Sequence, residues 1–165
     1  MQLHMQSTAV ATGDFIEHVS LGRAQAEGRM LSSIQAMLVQ YEAQRRLWNE
    51  LMLREHPRGV SQFVGRQLRY LVDSEHGWLG GLGFAAAALQ LQDRDEWIGW
   101  DAQTRRAQLH RVVGLSRFLI RPGVRCENLA SRVLGMCLKQ IPRDFDERYG
   151  FRPWLVETFV DRRLF

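Results

Sequence analysis

The chain has 165 residues, 45% of them hydrophobic, which is the size of one domain with its own core. Its formal net charge is +4, from 22 basic and 18 acidic residues, and its two cysteines, Cys126 and Cys137, lack the spacing of a zinc site or a disulfide framework. No apolar run approaches the roughly 20 residues of a membrane span, so composition excludes the membrane, zinc-ribbon and disulfide-rich classes and predicts a cytoplasmic protein without a metal site.

The sequence predicts an N-terminal extension over residues 1–31 and a single domain over residues 32–165. The first 13 residues are aperiodic, and residues 14–21 are compatible with a short helix. Over residues 32–56, apolar side chains recur at helical spacing with charged ones opposite them. This pattern predicts one long helix that ends at Pro57.

The next segments predict a β-hairpin. Residues 63–72 alternate in part between apolar and polar, residues 73–77 form a turn cluster that ends in glycine, and a second apolar run follows. Three glycines, Gly80, Gly81 and Gly83, interrupt the second strand. They indicate a bulge, the close approach of a ligand or of a neighbouring backbone, or a helix packed tightly on the sheet.

The second half of the chain predicts two helices and two strands. Residues 92–100 read as a charged and aromatic connector, followed by a helix that Asp101 caps. Residues 114–121 predict a strand, and a helix that starts at Asn128 is expected to end by Pro142. Residues 154–161 predict the last strand.

Two strands joined through a helix are expected to lie parallel in one sheet. The predicted fold class is therefore α/β (α+β), with a mixed β-sheet that contains an antiparallel hairpin and a parallel βαβ unit. The loop over residues 121–127 then lies at the carboxyl end of a strand and the amino end of a helix. Backbone N–H groups at such a position favour anions.

The sequence of this loop continues as R-x-x-N-L-A. It resembles the R/Q-x-x-G-x-G/A motif with which GNAT (Gcn5-related) acyltransferases hold the pyrophosphate of acetyl-coenzyme A. The resemblance implies a GNAT-like fold with acetyl-coenzyme A as a candidate cofactor. The alternative is that the asparagine only caps a helix and the arginine pairs with a surface carboxylate. The candidate cofactor-binding residues are Arg125, Cys126, Asn128, Leu129 and Ala130.

Three residues are candidate acid–base catalysts. Glu157 and Asp161 share a face of the predicted last strand because they are four positions apart, and burial raises the pKa of a carboxyl group toward the useful range. The alternative for them is an ion pair with an arginine such as Arg117. His56 follows a helix end, where a histidine can act as acid or base or can simply contact the terminal carbonyl groups.

Aromatic and basic residues near the middle of the chain predict a nucleic-acid contact. Tryptophan can stack on bases while arginine contacts phosphates, and the net positive charge permits such a partner without requiring it. Aromatic residues at regular spacing are more often core, which is expected of Trp48, Trp78 and Trp154. The candidate nucleic-acid residues are Arg94, Trp97, Trp100, Arg105 and Arg106.

Seven phrases, in order, carry a more specific resemblance. They resemble the Druantia DruA family from about Leu47 to the end of the chain. The resemblance implies a role in anti-phage defence or, through transposase-related members, in a mobile element. Nucleic acid and other defence-system proteins are the implied partners. The phrases are Trp48-Asn-Glu-Leu with Glu55-His56, Gln67-Leu-Arg-Tyr70, Gly77-Trp-Leu-Gly, Arg94-Asp-Glu-Trp-Ile-Gly-Trp100, Arg117-Phe-Leu-Ile, Asn128-Leu-Ala-Ser131 and Glu157-Thr-Phe-Val-Asp161.

Family members continue past the last of these phrases, so the resemblance also implies a truncated member that lacks its final strands and a basic tail. The strand over residues 154–161 would then be a free sheet edge, which favours a homo-oligomer. Three functions stay open. They are a nucleic-acid transaction on a GNAT-like scaffold, acyl transfer from acetyl-coenzyme A with Glu157 or a water as the base, and a non-catalytic interaction scaffold.

Overall fold

A computed structural model describes residues 24–60 and 62–160. Within them, a single sheet holds five strands in their chain order, and helices lie on both of its faces. In chain order the elements are α1 (Ala24–Ser33), β1 (Gln35–Leu38), α2 (Glu42–Glu55), β2 (Leu68–Asp73), β3 (Gly80–Ala86), α3 (Gln92–Ile98), α4 (Ala102–Gln108), a 3-10 turn (Leu109–Arg111), β4 (Val112–Ile120), α5 (Leu129–Tyr149) and β5 (Leu155–Glu157).

The sheet is mixed, as predicted. The pairs β1–β2, β2–β3 and β3–β4 are antiparallel, whereas β4 and β5 run parallel, with Val113 opposite Val156. Because α5 connects β4 to β5, both the predicted hairpin and the predicted βαβ unit are confirmed, and so is the mixed α+β class. A register shift next to Gly83 leaves Ser116 without a partner on β3, which is a bulge in β4.

The core lies on both faces of the sheet. On one face, residues of α1 and α5 such as Met30 and Phe145 pack with Tyr70 and Phe84 of the strands. On the other face, α2 contributes three fully buried side chains, which pack with Leu71 and Leu119. The three are Trp48, Leu51 and Met52.

Close contacts with neighbouring groups explain the glycines of β3, and a Cβ atom on Gly80 would lie 1.9 Å from the carbonyl oxygen of Leu119 in β4. A Cβ atom on Gly83 would lie 2.3 Å from the ring of Phe63 and 2.9 Å from that of Trp48. The indole N–H of Trp48 donates to the carbonyl of Leu82 at 3.0 Å. The helix α2 therefore lies directly on the backbone of β3, at a distance that a larger residue would prevent.

The long helix predicted over residues 32–56 is wrong in its first half. The helix α1 ends at Ser33, and the apolar residues that follow form β1, which is hydrogen-bonded along β2. A short apolar run fits a strand as well as a helix, and pairing with β2 decides between them. The second half is confirmed, because α2 ends just before Pro57.

Other boundaries also differ from the prediction. The last strand, predicted over residues 154–161, ends at Glu157, and the strand predicted from residue 63 begins at Leu68. The expected connector over residues 92–100 is the helix α3, which ends at Gly99 in the left-handed conformation (φ 82°). The helix α5 continues through Pro142 to Tyr149, since burial of Phe145 in the last turns compensates for the backbone N–H that proline lacks. The helix proposed for residues 14–21 lies outside the described residues.

The helix predicted from Asp101 is present as α4, and the Asp101 carboxylate accepts a hydrogen bond from the N–H of Thr104 at 2.7 Å. Trp48 is buried as expected, but Trp154 is not. Its ring is 64% exposed and lies under the guanidinium of Arg111, 4.5 Å from ring centroid to Cζ. Over residues 24–60 and 62–160, no helix is both long and apolar enough to cross a membrane.

Candidate functional site

The loop between β4 and α5 lies at the surface. The side chains of Arg125, Asn128 and Ala130 are exposed, Cys126 is half-buried, and Leu129 points into the core. Asn128 has a left-handed backbone (φ 60°), and its side chain does not cap α5. The geometry therefore has the strand, exposed loop and helix start that the anion prediction requires, while the cofactor role of these residues stays a prediction.

The two parallel strands are joined over a short distance only. The three residues of β5 pair with Val112, Val113 and Gly114 at the start of β4. Just beyond, the Thr158 hydroxyl donates to the carbonyl of Leu115 at 3.3 Å. The remainder of β4 has no strand neighbour on this side within residues 24–60 and 62–160, so the two strands are not paired next to the loop.

Glu157 lies in a buried ion pair, as the alternative interpretation anticipated, but its partner is Arg94 instead of Arg117. The Arg94 guanidinium is 3.1 Å from Glu157 Oε2 and donates to the Ala88 carbonyl at 2.8 Å. The other carboxylate oxygen of Glu157 accepts the Ala88 N–H at 2.9 Å. Both side chains are at most 9% exposed, so this pair joins α3 to β5. The structure does not describe Asp161.

The α3–α4 segment divides the predicted nucleic-acid residues into two groups. Asp95 holds Arg94 at 2.8 Å and Arg105 at 3.1 Å. Burial favours the neutral acid, but hydrogen bonds from these two arginines hold the pKa of Asp95 below its usual value. Trp97, in contrast, is 77% exposed, Arg106 is exposed and Trp100 is half-buried. Arg94 and Arg105 therefore serve internal ion pairs, and the other three face solvent at least in part.

His56 lies beside two arginines. Burial, together with the positive charges of Arg117 and Arg58, lowers the pKa of His56 below its usual value, so its ring is neutral near pH 7. The Nδ1 atom accepts the backbone N–H of Arg58 at 3.1 Å, which places the ring proton on Nε2. No hydrogen bond joins His56 to Glu157 in the described part of the chain. The two described acid–base candidates therefore have different hydrogen-bond partners.

Arg117 and Arg121 are buried side chains of β4 and the loop after it. The Nε of Arg117 donates to the Gly59 carbonyl at 2.9 Å, and its Nη1 donates to the Ser116 carbonyl at 2.6 Å. Arg121 makes a two-pronged ion pair with Glu55 at the end of α2, with contacts of 2.9 and 3.1 Å. These bonds tie the end of α2 to β4.

A basic pocket that the sequence analysis did not identify lies at the opposite end of the sheet, where β1 ends and β2 begins. It has a volume of about 320 Å³. Three arginines reach it from three different elements, so no local motif predicts it. The sequence signals are a charged residue, Arg69, within an apolar strand and the phrase Gln67-Leu-Arg-Tyr70, which contains two of the lining residues. The lining residues are Val39, Gln40, Tyr41, Glu42, Arg45, Gln67, Arg69, Arg148 and Tyr149.

Metal ligands do not gather anywhere in the described residues, where no group of three His, Cys, Asp or Glu side chains is arranged to hold an ion.

In a comparison with known protein families, residues 5–165 match the family described as Druantia protein DruA. Neither the curated proteins nor the solved structures gave a match.

Proposed function

Since the chain belongs to the DruA family of Druantia proteins, we propose that it acts in a nucleic-acid transaction of this defence system and that its basic pocket contacts phosphate groups. One observation carries the proposal. Three arginines, Arg45, Arg69 and Arg148, converge on a pocket with a single carboxylate, that of Glu42. Arginine is well suited to phosphate because its planar guanidinium matches the geometry of two phosphate oxygens.

The charge balance of the pocket favours an anion. Three positive charges and one negative charge leave a net charge of +2 on the lining residues. Arg45 is already paired with Glu42 through an exposed contact. Within the described residues, no ion pair joins Arg69 or Arg148 to a carboxylate. These two guanidinium groups are therefore available to a negatively charged ligand.

The α3–α4 segment is a less favourable phosphate site. It has three arginines, but four acidic residues accompany them: Asp93, Asp95, Glu96 and Asp101. Two of the arginines are also held by carboxylates. The exposed Trp97 and Arg106 remain candidates for a supporting contact, in which the indole ring stacks on a base.

Binding of a fluorescently labelled single-stranded oligonucleotide, followed by anisotropy between 50 and 200 mM salt, tests the proposal. We expect the affinity to fall steeply as the salt concentration rises. The slope of log affinity against log salt concentration should decrease in magnitude by about one in Arg148→Ala, because each phosphate contact releases about one counterion. Arg132→Ala is the matched control. It removes an exposed arginine from the same helix, 16 residues away, or about 24 Å along α5.

An absence of binding at low salt would contradict the proposed function. If Arg148→Ala and Arg132→Ala lost the same amount of oligonucleotide affinity, the contact would instead lie outside the pocket.

Acyl transfer is the second candidate, and it rests on the geometry around Asn128. The exposed loop, the left-handed Asn128 and the limited pairing of β4 with β5 are compatible with a coenzyme A pyrophosphate at the start of α5. Glu157 is held by Arg94 and the Ala88 N–H, so this candidate requires a water molecule or another group as its base. Stabilisation by coenzyme A tests it.

A further inference from the structure

Two buried polar atoms, on residues that line the basic pocket, have no hydrogen-bond partner within residues 24–60 and 62–160. They are Nε of Arg69, a donor, and Oε1 of Gln67, an acceptor. Nearly all buried polar atoms in folded proteins are paired. An unpaired donor and an unpaired acceptor in the same pocket therefore point to a ligand that offers both an anion and an N–H or O–H group.

The guanidinium of Arg69 is held in place by aromatic rings. Its Cζ lies 4.6 Å from the ring centroid of Phe63 and 5.1 Å from that of Trp48, at distances typical of cation–π contacts. Burial, and then the charges of Arg45 and Arg148, lower the pKa of Arg69 below its usual value. The guanidinium is thus fixed before a ligand binds. Its positive charge is not paired with a carboxylate in the described residues, and an anionic ligand would supply the missing negative charge.

Gln67 is fixed through its backbone. Its N–H donates to the hydroxyl oxygen of Tyr149 at 3.0 Å, and the Tyr149 hydroxyl donates to the Gln67 carbonyl at 2.8 Å. Both hydrogen-bonding capacities of the hydroxyl are used in holding Gln67 at the pocket. The amide side chain is not used in this contact, so its oxygen can accept a hydrogen bond from a ligand. Nucleobases have N–H and amino groups that can donate such a bond.

The size of the pocket limits the ligand. Its volume of about 320 Å³ is near the lower end of the range for small-molecule sites, about 300–1,000 Å³. This space suits one nucleotide and not a duplex. A terminal phosphate carries close to two negative charges at neutral pH, whereas an internal phosphodiester carries one. The net charge of +2 on the lining residues therefore matches a terminal phosphate.

We infer that the pocket binds a single nucleotide with a terminal phosphate, as at the 5′-phosphorylated end of a DNA strand, an inference that rests on the proposed function. Arg69, flanked by Arg45 and Arg148, binds the phosphate. Gln67 Oε1 accepts a hydrogen bond from the base, and the exposed ring of Tyr41 (68% exposed) lies at the entrance, where a neighbouring base can stack.

Two oligonucleotides of one sequence, a 5′-phosphorylated 12-mer and its 5′-hydroxyl form, test the inference by anisotropy at 100 mM salt. We expect the phosphorylated end to bind at least tenfold more tightly. Arg69→Lys should abolish this preference, because lysine keeps the charge but lacks the Nε donor and the planar guanidinium.

Gln67→Met keeps the size of the side chain but lacks the acceptor, so it should weaken binding of a deoxynucleoside 5′-monophosphate several-fold. Arg132→Ala should change neither the preference for the phosphorylated end nor the affinity for the mononucleotide. Thermal unfolding checks that each variant folds.

Equal affinity for the two oligonucleotides would overturn the inference and leave the nucleic-acid proposal standing. Binding of the mononucleotide without binding of either oligonucleotide would overturn the proposed function and retain the pocket as a nucleotide site. If inorganic phosphate bound as tightly as the mononucleotide, the contact between Gln67 and a base would be wrong.

Discussion

Three polar side chains lie between the sheet and α5: Tyr70, Cys137 and Asp144. Tyr70 donates to Asp144 Oδ2 at 2.8 Å, and Asp144 is 2% exposed. Burial and then the charge of Asp144 raise the pKa of Cys137 to about 12. Burial and the hydrogen bond to Asp144 also raise the pKa of Tyr70 above its ordinary value. The folded core therefore keeps both groups protonated.

This arrangement predicts a loss of stability at alkaline pH. Because folding raises the pKa of the Cys137 thiol, this thiol ionises at lower pH in the unfolded chain than in the folded one. Its contribution to the free energy of unfolding is therefore complete below about pH 9 and is lost as the pH rises toward 12. We expect the free energy of unfolding by urea to fall above pH 9 by up to about 1.4 kcal/mol per pH unit from this thiol. Tyr70 adds to the fall at still higher pH.

Urea titrations at pH 8, 9 and 10 check this expectation. Cys137→Ala should flatten the decline, even though removing the buried thiol lowers stability at every pH. Cys126→Ala removes the half-buried cysteine instead and should keep the decline. A decline of equal steepness in Cys137→Ala would contradict the assignment.

Single residues were only partly predictable from the sequence. Glu157, within an apolar run, indicated either a catalyst or an ion pair, and it is in an ion pair. Its partner Arg94 could not be identified, because it comes from a helix that the sequence did not predict. Arg69 and Arg148 are 79 positions apart in the sequence and meet only because β2 begins beside the end of α5.

At the scale of elements, one buried arginine holds α3 on the sheet. Arg94 contacts Glu157 of β5, the Ala88 carbonyl and Asp95 in its own helix, and Asp95 in turn holds Arg105 of α4. Strands at a sheet edge often need such a cover. This network connects β5 to both short helices, so the region is expected to respond to the loss of any one charge.

Glu157→Ala is expected to destabilise the protein by about 2 kcal/mol, because it leaves the buried Ala88 N–H without its acceptor and leaves Asp95 as the one carboxylate still paired with Arg94 in the described residues. Denaturant unfolding measures the change. The double variant Arg94→Met with Glu157→Leu should recover only part of the stability, since an apolar pair can replace a buried ion pair but cannot replace the hydrogen bonds to the N–H and carbonyl of Ala88.

Glu50→Ala is the matched control, because the ion pair of Glu50 with Arg54 is exposed (41% and 61%) and should contribute less than about 1 kcal/mol. If Glu157→Ala were as mild as Glu50→Ala, the carboxylate would not be structural, and the catalytic interpretation of Glu157 would gain weight.

Elements were predictable where the local pattern was unambiguous. The turn before Gly77, the cap at Asp101 and the long apolar strand β4 have strong local signals, and all three are present. The strand β1 was missed because its four residues also fit a helical stripe. The helix α3 was missed because it has seven residues, mostly polar, and packing of Arg94 against β5 stabilises it.

At the scale of the whole molecule, the two candidate sites lie at opposite ends of one helix. The loop with Arg125 and Asn128 precedes α5, whereas Arg148 and Tyr149 at its last turn line the basic pocket. The helix has 21 residues, or about 30 Å at 1.5 Å per residue. This separation exceeds the Debye length of about 8 Å at physiological salt, so charge changes at one site should leave the other unaffected.

The separation allows the two functions to be tested independently in one protein. Coenzyme A at millimolar concentration should raise the melting temperature if the loop holds its pyrophosphate. Arg125→Ala should then abolish this stabilisation without changing oligonucleotide affinity. Arg148→Ala should weaken oligonucleotide binding without changing the stabilisation by coenzyme A, because each substitution removes one guanidinium from only one site. An unchanged melting temperature of the unmodified chain would eliminate the acyl-transfer candidate. If both variants weakened oligonucleotide binding equally, the nucleic acid would cover α5 from end to end, and the pocket could not be its only contact.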